Sequence, residues 1–139
     1  MATHLTLHVK NSATEIPVAT AVVARWLAEH HATPAADYFA CLAIEELVTN
    51  CIKYGYADAH EHRIAIELKY TVGELTMIVT DDGQRFNPLD RPEPDVNLPV
   101  EDRPIGGLGI HLLRKMADHI DYAWVNGHNR LTLHKKLGP

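Results

Sequence analysis

The chain has 139 residues and a formal net charge of −5, with 46% hydrophobic and 22% charged residues. This length favours a single domain, residues 1–139, that can bury a hydrophobic core. The acidic balance argues against direct nucleic-acid binding, and no apolar run is long enough to cross a membrane. The first residues lack the basic and apolar regions of a signal peptide, so we expect a cytoplasmic protein.

The first half of the chain predicts one strand followed by two helices. Residues 4–9 alternate between apolar and polar side chains, which is typical of a half-buried strand. Apolar residues then recur at helical spacing up to about His30, and again between Thr33 and Gly55. Thr33 fits the N-cap of the second helix, Pro34 its first position, and Gly55 a left-handed residue just past its end.

The second half predicts two antiparallel hairpins. The first joins two alternating segments, residues 64–70 and 75–80, across a short turn. The second joins strands at about 119–126 and 130–137, with Asn126 to Asn129 as its turn.

A long loop and a third helix separate the two hairpins. Residues 84–105 contain five of the eight prolines, which favours a mobile lid over a helix or strand. A helix then opens at residues 105–109. This element order predicts an α+β fold, a two-layer sandwich in which three helices cover one face of a mainly antiparallel sheet of about five strands.

Three polar residues form a row on the second predicted helix. Glu46, Asn50 and Lys53 are four and three residues apart, so their side chains lie on one side of the helix. Taken alone, the row fits solvated surface better than a ligand site. The alternative is a nucleotide site with a carboxylate to orient or deprotonate a hydroxyl, an amide oxygen for Mg²⁺ and a cation for phosphate.

The glycines that open the third helix have two interpretations. Residues 106–109 read Gly-Gly-Leu-Gly, which is either a tight turn or a place where backbone N–H groups approach an anion such as phosphate. The dinucleotide fingerprint G-x-G-x-x-G fails because Leu112 stands where its third glycine is required. The P-loop pattern is also absent from the sequence.

A short acidic segment, Asp81-Asp82-Gly83, follows the fifth predicted element at the end of a strand. Aspartate and glycine are common turn residues, which is the simpler interpretation. The functional alternative is a buried carboxylate that accepts a hydrogen bond from an exocyclic amine, with Gly83 letting a ring lie against the backbone. Such a carboxylate would select adenine over guanine.

Together and in this order, these segments resemble the Bergerat-fold ATPases, the group of gyrases, histidine kinases and mismatch-repair ATPases. The nearest resemblance is to stand-alone anti-sigma-factor serine/threonine kinases. Residues 46–50 resemble the E-x-x-x-N box, residues 81–83 the first half of the D-x-G-x-G box, and residues 107–109 the later G-x-G box. Arg85 replaces the second glycine of the D-x-G-x-G box, and the resemblance spans essentially the whole chain.

The resemblance implies roles for the residues of the second helix. Glu46 would be the catalytic residue, acting as base or polarising carboxylate for the attacking hydroxyl or water. Asn50 would ligate Mg²⁺. Lys53 and Tyr54 would contact phosphate or ribose, as in the histidine-kinase version of the box.

For the remaining boxes the resemblance implies contacts with adenine and with the lid. Asp81 would hold the adenine amine, with Asp82 as the alternative if the alignment shifts by one residue, and Gly83 would let the base approach. Thr132 would lie near the adenine on the last strand. The residues that would hold the lid against the phosphates are those of the later glycine box: Gly107, Leu108 and Gly109.

The resemblance also implies a function. It implies a Mg²⁺- and ATP-dependent protein serine/threonine kinase that phosphorylates a small anti-anti-sigma (STAS-like) protein, with a sigma factor as a second partner and a homodimer as the assembly. The alternative is an ATP-gated protein-binding regulator without significant kinase activity, in which ATP only orders the lid.

Overall fold

The computed structural model describes residues 2–90 and 107–137, apart from the side chains of residues 107 and 108. The helices and strands in this part of the chain are β1 (Thr3–Lys10), α1 (Glu15–Glu29), α2 (Pro34–Asn50), β2 (Arg63–Thr71), β3 (Glu74–Asp81), α3 (Gly107–Met116), β4 (His119–Val125) and β5 (His128–Lys136). The strands form one antiparallel sheet in the order β1-β2-β3-β5-β4. No helix within these ranges has the length and apolar character needed to cross a bilayer.

The helices pack on one face of this sheet, which confirms the predicted α+β sandwich. Alternate strand residues point towards the helices and are buried with them, whereas the intervening residues form an open, largely polar face. The largest fully buried side chains of this core include Leu27, Phe39, Ile44, Ile66, Met77, Leu113 and Leu133. The two-residue alternation of the strands therefore determines which side chains can reach a site beneath the helices.

Helix α2 is the central helix, and its beginning follows from its capping residues. Thr33 has an extended backbone, and its side-chain hydroxyl accepts a hydrogen bond from the Ala36 N–H at 3.3 Å. Pro34 occupies the first turn, and Asp37 places a carboxylate near the positive end of the helix dipole.

The end of α2 differs from the prediction. The α-helix ends at Asn50 and continues as a single wider π-helical turn, Cys51–Gly55, after which Tyr56 is extended. Gly55 has no left-handed backbone conformation. Its carbonyl instead accepts a hydrogen bond from the N–H of Gln84 at 2.6 Å, so this residue anchors another segment rather than capping the helix.

The β4–β5 hairpin turns at Asn126 and Gly127, both with positive φ, as the Asn-Gly pair predicts. Strand β5 begins at His128, two residues earlier than predicted. This difference matters because it moves Asn129 from the predicted turn into the strand, where it pairs with Asp81 of β3.

The predicted lid, residues 84–105, is only partly described. Residues 84–90 include a short 3-10 helix, Pro88–Asp90. The remainder of the lid and Gly106 lie outside the described residues.

Candidate functional site

A cavity of about 40 Å³ lies beneath α2, between the helical layer and strands β3, β5 and β4. Leu47, Val79 and Leu131 give it apolar walls. Its buried polar side chains come from separate parts of the chain: Asn50 from α2, Asp81 from β3 and Asn129 from β5. On the lid side the cavity is bounded by Gln84, Phe86 and Pro88.

Asp81, the last residue of β3, is only 8% exposed and accepts three hydrogen bonds from within the described residues. Its Oδ1 accepts from the Gly83 N–H at 2.9 Å and from the Asn129 amide at 3.0 Å. Its Oδ2 accepts from the Cys51 thiol at 3.3 Å, a thiol whose pKa is raised well above its ordinary value by burial and by Asp81 itself. A carboxylate offers about four acceptor positions, so one remains for a donor in the cavity.

Asp82, the alternative adenine contact, is directed away from the cavity. Its carboxylate accepts from the ring of His62 at 3.1 Å, and Asp58 accepts from the other ring nitrogen at 2.7 Å. Of the two aspartates, Asp81 is therefore the one that lines the cavity, and its contact with adenine remains a prediction.

Gly83 packs directly against the backbone of the π-helical turn. A Cβ atom at this position would lie 2.5 Å from the carbonyl oxygen and 2.9 Å from the carbonyl carbon of Gly55. Because backbone atoms cannot move aside cheaply, this contact alone requires glycine. The predicted role in letting a base approach remains a prediction.

Asn50 presents an unusual buried amide to the cavity. The residue is only 5% exposed, and its Nδ2 has no hydrogen-bond partner among the described residues. Buried polar groups are normally bonded, so an unpaired amide beside a cavity indicates a position where a ligand completes the bonding.

Glu46 lies one turn earlier on α2 and contacts the first turn of α3. Any Cβ atom at Gly109 would overlap the carboxyl group of Glu46. Burial, followed by the nearby charge of Glu45, raises the pKa of Glu46, and Lys53 acts in the opposite direction. The first and last predicted boxes therefore meet in space through Glu46 and Gly109.

Of the other phosphate-side predictions, Lys53 and Tyr54 are not among the described residues that line the cavity. Lys53 is exposed on the π-helical turn, and the ring of Tyr54 stacks on Phe86 with centroids 5.5 Å apart. Gly107 begins α3, and Leu108 follows it in the helix. Their contacts with phosphate, ribose or lid remain predictions.

The predicted adenine role of Thr132 is corrected by the structure. Leu131 and Leu133, its neighbours on β5, face the helices and are 5% and 0% exposed. Because strand residues alternate, Thr132 lies on the open face of the sheet, where it pairs with Ile78 and Asp121.

Asn129 is the residue that the sequence interpretation missed. It is 6% exposed and uses both ends of its amide. The amide nitrogen donates to Asp81 at 3.0 Å and to the carbonyl of Gln84 at 2.8 Å. The amide oxygen accepts from the Phe86 N–H at 2.9 Å and from the Tyr122 hydroxyl at 2.5 Å. The available signal was the Asn-Gly turn, whose two-residue geometry places this residue in β5, opposite Trp124 of β4. The register of β5 against β3, which the turn does not set, places it opposite Asp81.

Comparison with known proteins identifies similar chains. The histidine kinase-like ATPase domain family matches residues 9–135. The serine/threonine-protein kinase BtrW of Bordetella bronchiseptica is 26% identical over 98 residues, which cover 70% of this chain and 69% of that protein. The serine-protein kinase RsbW of Listeria monocytogenes is 27% identical over 90 residues, which cover 62% of this chain and 57% of that protein.

A solved structure shows the same fold. The crystal structure of the RsbU and RsbW domains of a Mycobacterium tuberculosis protein matches 97% of this chain with a TM-score of 0.69 and 19% identity. The match covers 32% of that longer chain.

Proposed function

Because this chain belongs to the histidine kinase-like ATPase family, we propose that the cavity binds the adenine of ATP and that the phosphates extend towards α3. The base end of the site consists of Asp81, Gly83 and Asn129. The phosphate end consists of Glu46, Asn50 and Gly109. The single observation that carries the proposal is that Asn50 and Asp81, 31 residues apart in sequence, line one cavity beside the contact between Glu46 and Gly109.

Nucleotide entry requires movement on the lid side. A cavity of about 40 Å³ holds only a few water molecules, on the order of three, and is too small for an adenine ring. The apolar walls belong to the packed core, whereas Phe86 and Pro88 belong to the first part of the predicted lid. ATP therefore enters by displacing Phe86 and Pro88 outwards.

The residues of the phosphate end fit a magnesium–phosphate group. Mg²⁺ prefers oxygen ligands and keeps several waters, so one amide oxygen together with phosphate oxygens suffices. Asn50 is the side chain that the family resemblance assigns to the ion, which its amide oxygen would hold. Its amide nitrogen, which has no partner in the described residues, is a donor and suits a phosphate oxygen. The ion supplies neutralisation of the negative charge on the phosphates.

Glu46 is the base that a phosphoryl transfer from ATP needs. The oxygen of a serine or threonine hydroxyl forms a bond to the γ-phosphorus, the bond from that phosphorus to the β,γ-bridging oxygen breaks, and ADP leaves. Glu46 takes the hydroxyl proton. Its raised pKa makes it a stronger base than an ordinary glutamate. Kinase names on two relatives support this assignment.

The proposed protein substrate is a small anti-anti-sigma (STAS-like) protein, with a sigma factor as the second partner. Support comes from the resemblance and from the serine-kinase names of the relatives. Incubation with Mg²⁺ and labelled ATP, alongside small proteins encoded next to this one, tests the substrate. Transfer of label to a serine or threonine of one of them is the expected result.

We propose a homodimer as the assembly. On α1, Val18 and Val22 are 59% and 40% exposed and lie one turn apart, so they form an apolar strip available for a second copy. Light scattering should give twice the chain mass for the wild type. The double variant Val18→Glu, Val22→Glu should shift it to the monomer mass, and an unchanged mass would remove this strip from the interface.

A second function, an ATP-gated binding regulator without useful catalysis, is favoured by one contact. Phe86 both closes the cavity and stacks on Tyr54, so nucleotide entry must change the start of the lid whether or not phosphate is transferred. Glu46 distinguishes the two functions, since binding alone does not require a carboxylate at the phosphate end.

Replacement of Glu46 by alanine tests the kinase assignment. Loss of a general base lowers phosphoryl transfer by about 10²–10⁴-fold. Affinity for Mg-ADP should change little, because Glu46 is assigned no contact with the base. Glu67→Ala is the matched control, since Glu67 is an exposed glutamate on the open face of β2. Equal transfer rates in the wild type and Glu46→Ala would exclude the kinase and leave the gated regulator.

A further inference from the structure

The hydrogen bonds of Asn129 join parts of the site that the sequence boxes treat as separate. One amide group bonds to the base-end carboxylate Asp81, to Tyr122 of β4 and to two backbone groups, the Gln84 carbonyl and the Phe86 N–H. An amide side chain can donate two hydrogen bonds and accept two. Every one of these positions is used within the protein.

Asn129 holds two of the backbone groups at the beginning of the lid. The Gly83 N–H is held by Asp81, and the Gln84 N–H by the carbonyl of Gly55. Two backbone groups that follow, the Gln84 carbonyl and the Phe86 N–H, both bond to Asn129.

The same side chain also restrains Asp81. Its bond to Oδ1, together with that of Gly83, fixes the carboxylate, while Oδ2 is bonded by Cys51. An adenine ring that bonds to Asp81 and displaces Phe86 must therefore affect both the amide nitrogen of Asn129, which bonds to Asp81, and its amide oxygen, which bonds to the Phe86 N–H.

We infer that Asn129 is a positioning residue that links recognition of the base by Asp81 to the position of Gln84 and Phe86, the first lid residues. The inference rests on the proposed nucleotide site and adds to it a route by which occupancy reaches the lid. Because coupling between two sites is reciprocal, restraint of the lid by a partner also tightens nucleotide binding through Asn129.

The test compares nucleotide-dependent amide hydrogen exchange in residues 83–88 between variants. Asn129→Asp keeps the shape of the side chain but removes both N–H donors and places a second carboxylate beside Asp81. Saturating Mg-ADP should change exchange of this segment by about fivefold or more in the wild type and by less than about twofold in Asn129→Asp. The affinity for Mg-ADP should fall by about 10–100-fold, the effect of losing one or two buried hydrogen bonds to a charged group.

Three further variants keep the test specific. Asn129→Ser, which cannot reach the lid backbone, should uncouple the segment without adding a charge. Tyr122→Phe removes one of the four bonds and leaves both lid bonds, so its loss of coupling should be smaller. Arg130→Gln, at the adjacent exposed position, should behave as wild type. Exchange in β2 reports folding in every variant.

Each outcome decides the question. Full nucleotide-dependent change in folded Asn129→Asp or Asn129→Ser would overturn the inference while leaving the nucleotide site intact. If the wild type itself shows no heat with Mg-ADP, the proposed function fails, and the coupling fails with it.

Discussion

At the base end of the cavity the polar side chains are bonded to the protein itself, whereas at the phosphate end the amide nitrogen of Asn50 has no partner among the described residues. Asp81 and Asn129 are held by each other and by neighbouring backbone. Asn50 keeps a buried amide nitrogen without a partner in the described residues, and Glu46 is partly exposed with a raised pKa.

This difference indicates which part of the site is formed before the ligand arrives. A preorganised base end costs little on binding and can discriminate between purines. The phosphate end contains groups whose bonding the ligand completes, so changes there should affect transfer more than affinity. The following predictions test that division, from the largest expected effect to the smallest.

Gly109→Ala should produce the largest change, at the phosphate end. The added methyl group overlaps the carboxyl of Glu46. Because the Glu46 side chain is flexible, it moves aside, so the fold is retained but the catalytic carboxylate is displaced. Displacement of a catalytic group by about 1 Å costs on the order of 10²-fold in rate. Phosphoryl transfer should fall by that factor, while calorimetry should show Mg-ADP affinity within about threefold of wild type.

Gly73→Ala is the control for this glycine, because a Cβ atom there would meet nothing within 4 Å. A parallel loss of affinity in Gly109→Ala would show that the two ends are not separable.

Asp81→Asn should have the next largest effect, on affinity at the base end. In asparagine an N–H donor takes the place of one carboxylate oxygen of Asp81. This donor would face another donor, either the Cys51 thiol or the adenine amine. Loss of a hydrogen bond to a charged group weakens binding by about 10–100-fold. Isothermal titration with Mg-ADP measures this change. Asp82→Asn is the matched control and should lie within about twofold of wild type; the reverse order would assign the adenine contact to Asp82.

A smaller, pH-dependent effect should follow from His62, which holds Asp82 away from the cavity. The hydrogen bond to Asp58, and then that to Asp82, raises the pKa of His62, while the same bond lowers the pKa of Asp58. A raised histidine pKa stabilises the fold below the ordinary value near 6.5, and this stabilisation disappears as pH rises through the raised pKa. The lowered pKa of Asp58 stabilises the fold above the ordinary value of 3.8. This stabilisation is lost as pH falls through the lowered pKa.

Melting temperatures of the wild type and His62→Gln as a function of pH provide the measurement. Between the ordinary pKa values of 3.8 and 6.5, His62→Gln should melt a few degrees below wild type, about the effect of a partly exposed ion pair. At pH 9 the two proteins should melt at the same temperature. A constant difference at every pH would point to packing on Tyr56 instead, whose ring stacks on His62 at 4.2 Å.

Thr132→Ala should have the smallest effect. The residue lies on the open face of β5, on the side opposite Leu131 and Leu133, so Mg-ADP affinity should stay within about twofold of wild type. A tenfold loss would restore Thr132 to the base end and contradict the described register of the sheet.

Local signals predicted most of the fold because their physics acts over a few residues. Thr33 and Pro34 begin α2 as expected, and the Asn-Gly pair forms its turn as expected. The antiparallel sheet of five strands and its helix-covered face followed from alternation and from the family resemblance, and the structure confirms both. The order of the strands within the sheet was not predicted.

The sequence-based predictions were wrong where the position of a residue depends on the register of a strand or on a contact with a distant part of the chain. A hairpin that starts two residues earlier buries Asn129 and makes it a partner of Asp81. Alternation around Leu131 places Thr132 on the other face. Gly55 resembles a helix terminator in sequence, but its position is set by Gly83 and Gln84, which contact it from across the cavity.

The most direct test of the account is calorimetric titration of the wild-type chain with Mg-ADP and, separately, with Mg-GDP. A carboxylate acceptor at the base end, Asp81, can bond to the exocyclic amine of adenine and not to the carbonyl that guanine has there. The account predicts measurable heat with Mg-ADP and at least about tenfold weaker binding of Mg-GDP. No heat with either nucleotide, or equal affinity for both, would contradict it.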